Sequence, residues 1–342
     1  MNKLILDNLN YKKTDKVPIW LMRQAGRYMK EYHIVKNKFN SFMEMCKNSD
    51  AVTEITMQPI KKFDFDAAII FSDILIILDA IGIKVDFIKG KGPLVENYDV
   101  LKNIKLLSGN LNHEKVNPCY QAIKDVKKEL IGKPLIGFSA APWTLAAYYI
   151  EGAITKDLSI IKRFSYKNSK EMDFIIDLFS KLIIQHLENQ IEAGVDLIQI
   201  FDTHSFQMDY SMHKKYSIEQ LKKISITIKE KFPNIPIIYY SKNFQFLDEE
   251  TNKYINCLSV NSNISLKKQR NHIRRNICLQ GNLDPNLLVE GGKQMIEETK
   301  NILLEMDKHP FIFNLGHGVL PQTPIENVFK LLETVRNFIR KV

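Results

Sequence analysis

Short apolar, largely β-branched runs recur along the chain and alternate with longer stretches that place apolar residues at helical spacing. Eight runs predict strands: VPIWLM (17–22), AAIIFS (67–72), PLIGFSA (134–140), LIQIFD (197–202), IPIIYYS (235–241), CLSVN (257–261), NICLQGN (276–282) and FIFNLGH (311–317). Most are nearly continuous in apolar character rather than alternating, as in strands covered on both faces. Between the third and fourth runs, Met172, Ile175, Leu178, Leu182, Leu187 and Ile191 form a helical stripe that Gly194 should stop. Asp284 and Pro285 pair an N-cap with a first-turn proline, and TPIE (323–326) reads as a capping box. His186 falls mid-helix and is given no chemical role.

No Ser/Gly-rich linker, low-complexity tract or repeat interrupts this alternation. Eight strand–helix units in one chain of 342 residues predict a single domain over 1–342, an α/β fold closed as a (β/α)8 TIM barrel. A doubly wound sheet is the alternative. It would announce its phosphate site with GxGxxG after the first strand, where this chain has RQAGR (23–27). GKG (90–92) resembles a phosphate loop only superficially, because it lacks the spacing of GxxxxGK[ST].

Composition narrows the function classes. Hydrophobic residues at 45% and charged residues at 25% are ordinary for a soluble globular protein. No run of 18 apolar residues predicts a membrane span, and the first residues lack the pattern of a signal peptide. Cys46, Cys119, Cys257 and Cys278 form no CxxC pair, which argues against a zinc ribbon or disulfide framework and fits the cytoplasm. The net charge of +9 reads first as lysine spread over a solvated surface and second as a field favouring small anions. No basic run is interleaved with aromatics, so nucleic-acid binding is not expected.

In a barrel of this kind, chemistry sits at the carboxyl ends of the strands. Those ends carry Arg23 and Arg27 with Gly26 to turn the backbone, Ser72 and Asp73, then PWT (142–144) and Tyr148. They also carry Asp202, Thr203 and His204, Asn282 and Asp284, and His317 between two glycines. Arginines four apart suit carboxylate or phosphate recognition, although such a pair also occurs on solvated helix faces. Asp73 reads either as a helix N-cap or as a catalytic carboxylate. The glycines beside His317 would allow close ligand approach. A metal site is not expected, since Cys257 and Cys278 belong to strand bodies or beginnings and no HxxxH or HxC spacing accompanies them. A GxSxG nucleophile elbow is absent.

Taken as a set, these residues carry a resemblance. PIWLMRQAGRY (18–28) followed by Glu31 and Tyr32 resembles the N-terminal signature of the uroporphyrinogen decarboxylases. The stretch from Asp66 through FSDIL (71–75) to GKGP (90–93) is similar to that family's second block. PWTL (142–145), Tyr148, Glu151 and Gly152 resemble its third, and QGNLDP (280–285) and FNLGHG (313–318) its last two. Five blocks in order cover nearly the whole chain, and the first is highly specific.

The resemblance implies conversion of the four acetate side chains of uroporphyrinogen to methyl groups, giving coproporphyrinogen. It implies no metal, no organic cofactor and a homodimer. It also implies catalytic roles for Asp73, Arg23, Tyr148 and His317, and substrate contacts from Arg23, Gln24, Ala25, Gly26, Arg27, Asp73, Tyr148, Thr203 and His317. The ring proton has three candidate donors: Arg23, a weak acid, a water, or a substrate carboxyl. The chain departs from the family at Ala140, at His204, Ser205 and Phe206, at Asn243, and at Asn261 and Ser262. Two competing readings are a zinc-dependent barrel methyltransferase of the same superfamily and a porphyrinogen-binding protein without turnover.

Overall fold

The computed structural model describes residues 3–88, 92–97, 99–242, 249–273 and 276–340. Asn243, Gly90 and Lys91 therefore lie outside the described residues. Among the described residues there are nine strands: β1 (Ala68–Ile69), β2 (Val85–Ile88), β3 (Gly92–Val95), β4 (Leu135–Ala140), β5 (Leu197–Asp202), β6 (Ile237–Ser241), β7 (Cys257–Val260), β8 (Cys278–Leu283) and β9 (Phe311–Leu315). β1 and β4 to β9 form one seven-stranded sheet in sequence order, every pairing parallel. β2 and β3 form a separate antiparallel hairpin that the apolar pattern did not reveal.

Parallel neighbours require crossovers, and helices supply them. The longest, Ser169–Ala193, carries the expected stripe and ends at Gly194 with φ 118°. Asp284 caps Pro285–Glu290 through the Asn286 N–H. The capping box at 323–326 does not form: Ile325–Arg336 starts from Pro324 without a side-chain cap, and the buried Thr323 hydroxyl finds no partner. The proline between them holds an extended backbone at the position a capping side chain would occupy.

The sheet is curled. Inward-facing Ile136, Leu197, Ile238, Cys257, Cys278 and Ile312 from β4 to β9 meet in one buried cluster with Trp20, Met22 and the helix Leu4–Leu9. Within it the Trp20 indole N–H donates to Gln280 at 2.9 Å, and Gln280 donates to Gln199 and Ser259 on the facing strands. Residues 17–22 do not form a strand, as their pattern had suggested. They make one parallel bridge, Ile19 to Phe313, completed by Trp20 N–H donating to the Phe313 carbonyl, and on the other side a side chain enters the pairing. Phe313 N–H donates to the Pro18 carbonyl, while Ile19 N–H donates to the Asp66 carboxylate and the Ile19 carbonyl accepts from Asp66 N–H. Pro18 has no N–H to give a ladder, so the regular pairing fails there.

All four cysteines are buried free thiols. Cys257 and Cys278 face each other at the amino ends of β7 and β8, away from the carboxyl edge. No described helix is long and apolar enough to cross a membrane.

Candidate active site

The carboxyl edge of the sheet opens into a cleft. Its floor is an aromatic arc. Phe138 at the end of β4 meets Phe201 of β5 edge-to-face (5.7 Å between ring centres), Phe201 meets Tyr240 of β6 (5.8 Å), and Tyr240 meets His317 beyond β9 (6.1 Å). Met22, Ile69, Ile70 and Phe71 continue the apolar wall. Of this arc the sequence pointed to His317 but not to Phe138, Phe201 or Tyr240. Their signal was position: each lies within two residues of a strand's carboxyl end.

Arg23, Ala25, Ser72, Asp73, Thr203 and His317 all line this cleft. β1 stops at Ile69, so the next backbone groups need other partners. Ile70 N–H still bonds Ile136, but Phe71 N–H donates to the Thr56 hydroxyl at 2.9 Å. The chain then turns at Asp73, whose carboxylate accepts the Leu75 N–H at 2.8 Å. Asp73 thus caps a turn through Oδ1 and lines the cleft, but it is not the cap of the helix Ile76–Ala80, which starts from Leu75 without a side-chain cap. Burial raises its pKa to about 6, opposed by the Leu75 hydrogen bond and the positive charge of Arg23.

Arg23 has φ 60°, a left-handed conformation that costs a non-glycine residue about 1 kcal/mol. Gly26, expected to carry the turn, keeps an ordinary φ; the strained residue is the arginine itself. Gln24 is the pin that holds it. It is fully buried below the cleft, donating to the Ala67 carbonyl and accepting from Leu21 N–H. Gly26 and Arg27 do not line the cleft; Arg27 is exposed a turn further along.

His317 accepts the Gly318 N–H at Nδ1 (2.8 Å), which leaves the proton on Nε2. Burial, and then Arg23, Lys242 and His204, lower its pKa to about 3, so the ring is a neutral donor at physiological pH. Its flanking glycines do not open space for a ligand, as expected from sequence. A Cβ on Gly316 would lie 2.2 Å from Ser262 N, and one on Gly318 would lie 2.4 Å from Arg23 Cδ.

Tyr148 is not part of the cleft lining, yet the charges of Asp73 and Arg23 reach it, and burial holds its phenol well above the usual range. It sits on the helix Pro142–Glu151 and packs edge-to-face on His204 at 5.3 Å. That helix is tied to β5 by Thr144, which donates to the buried Asp202 at 3.0 Å. Asp202 also accepts from Ser217 and Tyr239, so it points into the helix layer rather than the cleft. Two of the departures from the family pattern are absorbed into packing: Ala140 is buried, and Asn261 donates to Tyr240 and the Gly316 carbonyl. Among the described residues, no group of three or more His, Cys, Asp or Glu side chains is placed to hold a metal ion.

A carboxylate of raised pKa, a strained arginine and a neutral histidine, collected at the carboxyl edge of a parallel sheet, define an α/β enzyme of the edge-site kind. The chain belongs to the uroporphyrinogen decarboxylase (URO-D) family, whose model matches residues 1–338. It is 43% identical to a uroporphyrinogen decarboxylase of Wolbachia sp. subsp. Drosophila simulans over 329 residues, 94% of each chain. It is 38% identical to one from Francisella tularensis subsp. novicida over 350 residues, covering 99% of each. Among solved structures, a methyltransferase from Methanosarcina mazei superposes with TM-score 0.75 over 98% of this chain and 97% of its own, at 18% identity. That likeness shows the fold alone.

Proposed function

We propose that the chain is a carboxy-lyase that converts the four acetate side chains of uroporphyrinogen III to methyl groups, yielding coproporphyrinogen III and four CO₂ in heme biosynthesis. The observation that carries this reading is the shared cleft of Asp73 and Arg23, in a chain of this family.

Each step removes CO₂ and adds one proton, with no net redox change. Direct loss of CO₂ would leave a carbanion that water stabilises poorly. Protonation of the adjacent pyrrole carbon makes the ring an electron sink; CO₂ then departs, its bonding pair flows into the ring, and a proton on the exocyclic carbon completes the methyl group as the ring carbon gives its proton back. The ring is cationic in between. Asp73, fixed by its Leu75 hydrogen bond, is placed to accept pyrrole N–H groups and stabilise that cation without reorganising. Arg23 and Arg27 take substrate carboxylates, the neutral His317 donates from Nε2, and Thr203 and Tyr148 extend the polar wall. Ala25 meets the substrate from the turn beside Arg23, and Gln24 holds that turn from below. The reaction uses no metal or organic cofactor.

The same reading takes 1–342 as one domain closed as a (β/α)8 barrel. Its support is the position of 17–22, which bonds Phe313 of β9 on one side and Asp66, just before β1, on the other. The protein would act in the cytoplasm as a homodimer, without nucleic-acid or membrane partners.

The test is anaerobic incubation with uroporphyrinogen III, oxidation of the products and chromatographic counting of carboxyl groups. A ladder from eight carboxylates to four, unaffected by a chelator, supports the reading. Binding without CO₂ release would move the chain to the porphyrinogen-binding class, and loss of activity in chelator would favour a metal-dependent chemistry.

A further inference from the structure

Lys242 follows β6 by one residue, directly after the buried Ser241 and the floor residue Tyr240. Its Nζ lies 5.1 Å from the centre of the Phe206 ring, and Phe206 is 40% exposed. The two loops that carry them are joined by a hydrogen bond between the Ser205 and Ser241 hydroxyls at 2.8 Å, so lysine and ring are held together next to the cleft-lining residues Thr203 and Tyr240, though outside the lining itself.

The ammonium acts on the cleft. Its charge helps to lower the pKa of both His317 and His204, after burial, which is the larger cause in each. Lys242 is itself half-buried, and its pKa is lowered by burial and then by Arg23. Among the described residues no carboxylate pairs with it; the partner on hand is the face of a ring. A desolvated ammonium and a guanidinium that repel one another across a pocket are both relieved by an anion.

We propose that Lys242 is a carboxylate receptor at the rim, holding one acidic side chain of the substrate while Arg23 holds another, and so selecting for a polycarboxylate. The ammonium rests on Phe206, a weak cation–π contact that a charge-assisted hydrogen bond to a carboxylate replaces. This inference rests on the decarboxylase reading for the nature of the substrate. The role is in binding rather than in bond-making.

The experiment compares wild type, Lys242→Met and Lys242→Arg over a range of ionic strength. Methionine keeps an unbranched apolar stem against Phe206, so folding is spared. Lys242→Met should raise KM for uroporphyrinogen about tenfold, keep kcat within about twofold and flatten the dependence of KM on salt; arginine should restore all three. An unchanged KM and salt dependence in a folded methionine variant would overturn the proposal. So would a loss of kcat alone that arginine does not rescue, which marks a purely structural lysine. Fluorescence titration with the oxidised octacarboxylic porphyrin is run in parallel. Wild type that binds this porphyrin but releases no CO₂ sinks the decarboxylase reading, while the affinity ratio between variants still decides for or against Lys242.

Discussion

Gly318 is packed against the Arg23 side chain so closely that a Cβ built on it would lie 2.4 Å from Cδ and 2.7 Å from Cγ. Arg23 cannot yield by turning its backbone, because Gln24 holds the left-handed turn from below. In Gly318→Ala the guanidinium must therefore swing out of its place in the cleft. A misplacement of this size near reacting groups costs about tenfold or more in kcat/KM. Thermal unfolding should shift by only a few degrees, as a contact with a surface-reaching side chain is cheaply relieved. Steady-state kinetics and calorimetry on the same preparation check both halves.

Asp73→Asn should abolish turnover, by about 100-fold or more, because a neutral amide cannot stabilise a cationic ring. Its stability should move the other way. The folded-state pKa of Asp73 is raised to about 6 from an ordinary 3.8. The stabilising effect of its proton is thus complete below about 3.8 and lost as pH rises through about 6. At pH 7.5 the ionised carboxylate strains the fold, so the asparagine variant should melt at the same temperature or higher, and its relative advantage should shrink at pH 4.5. A clear drop in Tm at pH 7.5 would contradict this.

The same value sets the pH profile of catalysis. kcat/KM should fall on the acid side with an apparent pKa near 6, as Asp73 takes up its proton. His317, held down to about 3, should contribute no limb in that region. Since the Arg23 charge lowers the Asp73 pKa, Arg23→Gln should move the acid limb of its residual activity to higher pH.

The two arginines should separate kinetically. Arg27 is exposed and outside the cleft lining, so Arg27→Ala should raise KM several-fold with kcat nearly unchanged. Arg23→Ala should lower kcat as well. Equal effects from both variants would mean that the cleft extends along the turn to Arg27.

His317 keeps its proton on Nε2 while Nδ1 accepts the Gly318 N–H, which gives a further check. His317→Gln keeps a side-chain N–H donor in the region of Nε2 and should retain more activity than His317→Ala. Equal losses would remove that N–H from the reaction.

Several features were legible in the chain itself. Parallel strands buried on both faces must be apolar almost throughout, and that requirement wrote β4 to β9 plainly into the sequence. Gly194 and Asp284 acted as read, since helix stops and caps are local chemistry. Local patterns failed where the partner was remote. The run at 17–22 looks like a strand, yet Pro18 and the Asp66 side chain break its ladder. Thr323 looks like a cap, yet the backbone at Pro324 turns the helix start away from it.

The sequence by itself determined the family, the α/β layering and the residue types available for chemistry at the strand ends, because periodicity and motif spacing are properties of neighbours along the chain. Only the tertiary structure decided which of them meet. It drew Arg23, Asp73, Thr203 and His317 into one cleft, left Arg27 outside, turned Asp202 into the helix layer, and supplied Phe138, Phe201 and Tyr240 as a floor. It also moved the pKa values of Asp73 and His317 in opposite directions, since burial disfavours whichever form of each group carries charge.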